Sequence, residues 1–293
     1  RGEGAMGVGN KTAGECRMSI EDIRRASHTM SLNEAENFIR QGNLRNVMLL
    51  MSRGRSGSTY AGAVVGNFVH GTSMMYETMV GGLTKHDMQP KPLEEFKREI
   101  CGLRRAAPPV CTLAGHKWRV MGDIASSRWK PVFAFLGQHG IPVVVNRRNF
   151  LDVVISRKKH AKAGVATHCM DGNERCIAEH FKKFAVDTRQ ILSQVTHEEA
   201  TFRAMVRGLE VSKVPHVIVD YERLAAKDLG ALDPVRLLVH HHLNITLPKN
   251  PSKGIVFRSP FASTAPSSQR EIVLNYGDLV GTFKGTRFEK LLH

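Results

Sequence analysis

The segment Ser52-Arg53-Gly54-Arg55-Ser56-Gly57-Ser58-Thr59 gathers two glycines, two arginines and an adjacent hydroxyl pair within eight residues. Glycine lets a backbone bend so that several N–H groups face one point, and arginine supplies a positive charge that does not titrate away. If a helix opens here, an anion meets N–H donors, the Ser58 and Thr59 hydroxyls and the positive end of a helix dipole together. The competing reading is a Gly/Ser turn with two solvated arginines. The loop is not a Walker A motif: the G-x4-G-K-[ST] spacing is absent and arginine stands in place of lysine, which counts against an ATPase or kinase.

A second basic segment, Arg147-Arg148-Asn149-Phe150-Leu151-Asp152-Val153-Val154-Ile155-Ser156-Arg157, follows a short apolar run. Arg148 falls just after a strand, and Ser156 two helical turns into the helix that follows. Both could therefore approach one phosphate from the same end, although a solvated basic turn with a serine on a polar face reads equally well. Metal chemistry has little to work with. His240-His241-His242 are consecutive and cannot share a helix face, and His168, Cys169, Cys176 and His180 lack zinc spacing, so no metal is expected.

These groups need elements to hold them. Asn46 to Met51 is a continuous apolar run, the pattern of a strand buried on both faces, and it leads through the first loop into a small-residue helix from Tyr60 to Val69. Strand, Gly-rich loop and helix in that order start a phosphate-binding α/β unit. Further strands are expected at Met74 to Met79, Gly115 to Met121, Ile141 to Val145 and Val217 to Val219. Helices are expected near Ile20, from Ser31 (a capping-box start), at Leu93 to Leu103, Ser126 to His139, Phe150 to His160, Glu174 to Leu209 and Pro234 to His242, with one or two short ones between Glu271 and Leu292. Residues 161–173 and Asn244 to Ser268 read as loops, with Gly81-Gly82 and the prolines at 90 and 92 marking another. Residues 1–18 read as a flexible arm and 19–293 as one α/β domain with a mostly parallel sheet.

The 293 residues carry 42 Lys+Arg against 27 Asp+Glu, a formal charge of +15, so an anionic ligand is expected. A 42% hydrophobic share excludes wholesale disorder, and no apolar run is long enough to span a bilayer. Only 6% of residues are aromatic and no nucleic-acid module is visible, which argues against a base-stacking binder and a nucleic-acid partner. Cys169–Cys176 or Cys101–Cys111 would be disulfides in a luminal protein, and Asn10 and Asn244 lie in glycosylation sequons. The chain starts at Arg1, so an upstream signal or anchor is compatible with it. Compartment stays open between a Golgi lumen, with the anchor trimmed, and the cytoplasm.

Taken together, the segments resemble sulfotransferases that use 3′-phosphoadenosine 5′-phosphosulfate (PAPS). Arg55-Ser56-Gly57-Ser58-Thr59 is similar to that family's 5′-phosphosulfate loop, and Arg148, Asp152 and Ser156 fall at the spacing of its 3′-phosphate motif. Val219-Asp220-Tyr221-Glu222-Arg223-Leu224 resembles the segment whose tyrosine packs on adenine, and Asn275-Tyr276-Gly277-Asp278-Leu279 with Gly285-Thr286 resembles the C-terminal segment. One departure is Asn149-Phe150, where an aspartate-proline pair is common. The resemblance implies a three-layer, P-loop nucleotide-kinase-like α/β fold and sulfuryl transfer from PAPS to a hydroxyl or amine of an acidic glycan or small metabolite, releasing 3′,5′-ADP. It implies cofactor contacts from Arg53, Gly54, Arg55, Ser56, Gly57, Ser58, Thr59, Arg148, Ser156, Tyr221 and Lys253, with Arg55 neutralising the leaving oxygens. Glu77, or secondly His116, is the expected base, and Lys117 a sulfate contact. A non-catalytic binder of sulfated glycan or nucleic acid on the same core, and a phosphotransferase, are the alternatives.

Overall fold

The computed structural model describes residues 30–69, 72–75, 92–107, 113–120, 129–163, 173–257 and 268–292. Among them are five parallel strands, β1 (Val47–Arg53), β2 (Thr72–Met75), β3 (Leu113–Val120), β4 (Val143–Arg147) and β5 (His216–Asp220), in the spatial order β2-β3-β1-β4-β5. The helices are α1 (Leu32–Arg40), α2 (Ser58–Phe68), α3 (Pro92–Ala106), α4 (Lys130–Gln138), α5 (Phe150–Ala163), α6 (Glu174–Phe181), α7 (Ile191–Val211), α8 (Tyr221–Ala225), α9 (Asp233–Leu243), α10 (Lys253–Val256) and α11 (Tyr276–Phe283).

Strand β1 shows why the layers form. Its side chains alternate across the sheet: Val47, Leu49 and Met51 enter one core with Ala35, Phe96, Ile100, Phe133 and Met205 from α1, α3, α4 and α7. Met48 and Leu50 enter another with Val64, Val65 and Phe68 of α2 and Val235 and Val239 of α9. Helices therefore cover both faces, the expected three-layer α/β arrangement, and a strand buried on both sides must read as an unbroken apolar run. A third cluster joins Leu151 and Ile155 of α5 to Phe184, Val273, Leu279 and Phe283.

Several expectations hold to within a few residues. Ser31 caps α1 in a reciprocal box: Glu34 N–H donates to Ser31 Oγ at 3.2 Å, and Ser31 N–H to Glu34 Oε2 at 2.7 Å. Helix α2 starts at Ser58, two residues before the expected Tyr60, because Gly57 in the left-handed region (φ 72°) ends the loop there. The expected single helix over Glu174 to Leu209 is instead two. Between α6 and α7 the chain runs extended, where Phe184 N–H bonds Ile272 O and Leu274 N–H bonds Phe184 O, each at 3.0 Å. Burial of Phe184 and Val186 in the third cluster overrides local helical preference. The expected loop Asn244 to Ser268 holds a helical turn, α10, tied down by Asn67 Nδ2 donating to Val256 O at 3.2 Å.

The N-terminal arm, the helix near Ile20, Glu77 and the Gly81-Gly82 loop lie outside the described residues. Of the two disulfide pairings, Cys101–Cys111 is excluded, because Cys101 is free. Burial pushes its thiol up to about 12, so it is inert near neutrality. Cys176 is disulfide-bonded, to a partner outside the described residues.

Candidate functional site

In an open parallel sheet, ligands bind beyond the carboxyl ends of the strands, where neighbouring strands send their connections in opposite directions. Here that point lies between β1, whose chain goes on to β2 at one edge, and β4, whose chain goes on to β5 at the other. The two basic segments of the sequence are the exits of these two strands.

The first exit is a loop held by its carbonyls. Arg157 Nη2 donates to Gly54 O at 3.2 Å, Arg148 Nη1 to Arg55 O at 3.1 Å, and Asn146 Nδ2 to Ser56 O at 2.7 Å. Three side chains, from β4, α5 and the connection between them, thus fix three consecutive carbonyls. Arg55 (φ 68°) and Gly57 (φ 72°) are both left-handed, which reverses the chain into α2. Gly57 is the N-cap and has no side chain to cap with, so the first turn keeps N–H groups that no intrahelical acceptor serves. That is the geometry of an anion site.

Cations and hydroxyls from separate segments converge on this turn. Arg55 Nε donates to Ser156 Oγ at 3.3 Å, across 101 residues of sequence. Lys117, on β3 and only 4% exposed, donates to Thr59 Oγ1 at 3.0 Å. Arg148 lies over the Tyr221 ring, 4.8 Å from its centroid, and its buried Nε has no acceptor among the described residues. Tyr221 in turn covers Gly57: a Cβ built there would sit 2.1 Å from its Cε2. Enclosed by Gly57, Arg148 and Tyr60, the Tyr221 ring is 5% exposed, so it braces the loop and does not present the open face that adenine packing requires.

Other expected residues stand elsewhere. Ser56 is buried and turns back on its own loop, bonding Arg53 O at 2.6 Å. Arg53 points away from the turn, with Nη1 on Val120 O at 3.1 Å and Nη2 3.5 Å from Glu198. Lys253 is on α10, beside the last turn of α2 at the far end from the loop, where its charge helps hold the Asp228 carboxyl below the usual range after the hydrogen bond from Arg223. The structure therefore does not bring it to the cluster. His116 is placed by its backbone on β3, opposite Leu49 and Met75. Arg147 turns to Asp220, with bonds of 2.5 and 2.9 Å.

Asn149 fixes the turn from β4 into α5. Its side chain caps α5, accepting from Leu151 N–H at 2.9 Å, and its Nδ2 reaches Leu291 O at 2.8 Å. Asparagine caps a helix as well as aspartate does. Asp152, the midpoint of the motif, accepts from Gln269 Nε2 at 2.8 Å, and the same nitrogen bonds Leu291 O. The motif is thereby tied to the C-terminal segment.

Sequence reasoning missed Glu198. This buried carboxylate (3% exposed) accepts from Arg157 at both oxygens, at Oε2 over 2.9 Å, and from Arg53 at Oε1. Burial pushes its carboxyl up, but the hydrogen bond from Arg157 and the charges of Arg157 and Arg53 outweigh that and leave it lowered. It acts on the loop through Arg157. The signal is its spacing: Glu198 falls on the buried face of α7 with Ile191, Val195, Phe202, Met205 and Leu209, whereas Glu199 lies off that face and pairs with Arg203 and Arg287. No group of metal ligands occurs among the described residues.

Comparisons with protein-family models, curated proteins and solved structures return no significant match for this chain.

Proposed function

We propose that this chain is a sulfotransferase that takes the sulfuryl group from PAPS. The observation that carries the reading is the meeting of Arg55, Arg148 and Ser156, whose sequence positions resemble two distinct motifs, within one hydrogen-bonded cluster at the sheet's switch point. Two features fit a doubly anionic nucleotide: the start of α2 at Gly57, which has no capping side chain, and the Arg148 Nε donor, which has no acceptor among the described residues.

Bound PAPS supplies the sulfuryl group: a bond from sulfur to an acceptor oxygen or nitrogen forms as the bond to the 5′-phosphate oxygen breaks, leaving 3′,5′-ADP. The chain's own residues bind and orient. The N–H groups of Gly57, Ser58 and Thr59 hold the 5′-phosphate, while Arg55 neutralises charge at the leaving oxygens and Lys117 touches the sulfate. Arg148 and Ser156 hold the 3′-phosphate. These donors are fixed before the reaction, the condition under which electrostatic stabilisation is most effective. The acceptor's proton passes to Glu77 or His116. The acceptor is a hydroxyl or amine, of a glycan or of a small metabolite.

The test is transfer of label from sulfur-labelled PAPS to a panel of alcohol, amine and glycan acceptors. We expect Arg55→Ala to lower turnover about 10²–10³-fold, the usual cost of losing one fixed donor. Transfer that persists undiminished in Arg55→Ala contradicts the assignment. Arg148→Lys keeps the charge but loses the planar group that both stacks on Tyr221 and reaches Arg55 O. It should weaken 3′,5′-ADP binding, read as a raised Kd by calorimetry, and an unchanged Kd argues against the role given to Arg148.

A further inference from the structure

Helix α9 ends at Asn244, whose backbone is left-handed (φ 54°, ψ 36°). Asn244-Ile245-Thr246 is an Asn-x-Thr sequence without proline. A left-handed asparagine just past a helix already has a structural explanation, because asparagine is the usual substitute for glycine there. Thr246 has none. It is exposed, as is Asn244, and neither side chain makes a hydrogen bond among the described residues. Between them Ile245 packs against the core behind α2 and α9, and Leu247 next to them is buried. The acceptor amide and the hydroxyl are thus presented outward from a turn anchored on its inner side.

Two observations away from the sequon point the same way. Cys176 is disulfide-bonded, a state that persists in compartments where N-glycans are added and is rare in the cytosol. Leu237, two helical turns before Asn244 on the same face of α9, is 57% exposed, and a sugar on Asn244 would cover it.

We propose that Asn244 is an N-glycan acceptor and that the chain matures in the lumen of the secretory pathway. In the transfer, Asn244 Nδ2 forms a bond to the anomeric carbon of a lipid-diphosphate-linked oligosaccharide. The carbon–oxygen bond to the diphosphate breaks, the lipid diphosphate departs with the electron pair, and the amide proton goes to a base of the transferase. This inference is independent of the sulfotransferase reading, and of the second sequon at Asn10, which lies outside the described residues.

The full-length protein made in a eukaryotic host would be compared on gels and by mass spectrometry before and after peptide N-glycosidase. The expected result is loss of one glycan's mass, with aspartate appearing at position 244 in the peptide map. Thr246→Ala should abolish that modification and Thr246→Ser retain it. Asn244→Gly, which keeps the left-handed turn, should also abolish it while leaving the melting temperature of the deglycosylated protein unchanged. An unmodified Asn244 in the wild-type protein, or a mass loss that disappears only with Asn10→Gln, would overturn the proposal.

Discussion

Replacing Glu198 with alanine is expected to cost about 3 kcal/mol of folding stability, the lower end of the 3–5 kcal/mol typical when one partner of a buried pair is removed. The lower end applies because Arg157 is 35% exposed and can swing into solvent, whereas Arg53, at 11%, stays buried where Glu198 stood. Urea unfolding would give the value, and a loss under about 1 kcal/mol would contradict the buried-pair account. The consequence for the loop is separate: as Arg157 leaves, Gly54 O loses its donor. Glu198→Gln keeps an acceptor and the volume, so it should lose less stability. It should also alter the acid limb of the stability profile. The cations leave the folded carboxyl below its ordinary value of 4.5, so its contribution is complete above that value and fades as pH falls through the lowered one. Wild type should therefore lose stability relative to itself more steeply than Glu198→Gln below about pH 4.5, and equal acid limbs would remove Glu198 from the account.

Gly57→Ala carries the second large effect. At φ 72° an alanine pays for a left-handed backbone, and its Cβ would lie 2.1, 2.5 and 2.8 Å from Tyr221 Cε2, Cδ2 and Cζ. The ring cannot retreat freely, since Arg148 lies over it and Tyr60 meets it edge-on at 6.1 Å. Backbone strain and overpacking together should cost about 2–5 kcal/mol. Gly42→Ala isolates the backbone share: its φ is 73°, and a Cβ there meets nothing within 4 Å. If the two variants melt alike, the contact between Gly57 and Tyr221 does not matter. If Gly57→Ala is the less stable by more than about 1 kcal/mol, the ring is what defines the loop's shape.

The sheet and the site differ in how much of each the sequence makes visible. Parallel strands buried on both faces must be continuous apolar runs, so β1 and β4 stand out from residues 46–51 and 141–145 alone. The loop after β1 is legible for a related reason, since few sequences other than glycine with arginine and hydroxyls suit an anion at a helix start. Long-range pairing left less trace. The break between α6 and α7 depends on Phe184 finding Val273, and the Glu198 pair spans 145 residues to Arg53. No window of sequence contains both partners. Tyr221 was legible as a residue at a strand exit, but its enclosure depends on Arg148 and Gly57 arriving from two other strands.

The central claim is that the loop after β1 and the exit of β4 form one site for a nucleotide bearing phosphates at both ends of its ribose. Melting temperature measured with 3′,5′-ADP, with ATP as the control, tests it directly, because a ligand at 100 times its Kd adds about 2.7 kcal/mol to the folded state. The account predicts a clear rise with 3′,5′-ADP, none with ATP, and loss of the rise in Arg55→Ala and Arg148→Ala. No rise with 3′,5′-ADP, or a larger one with ATP, would contradict it.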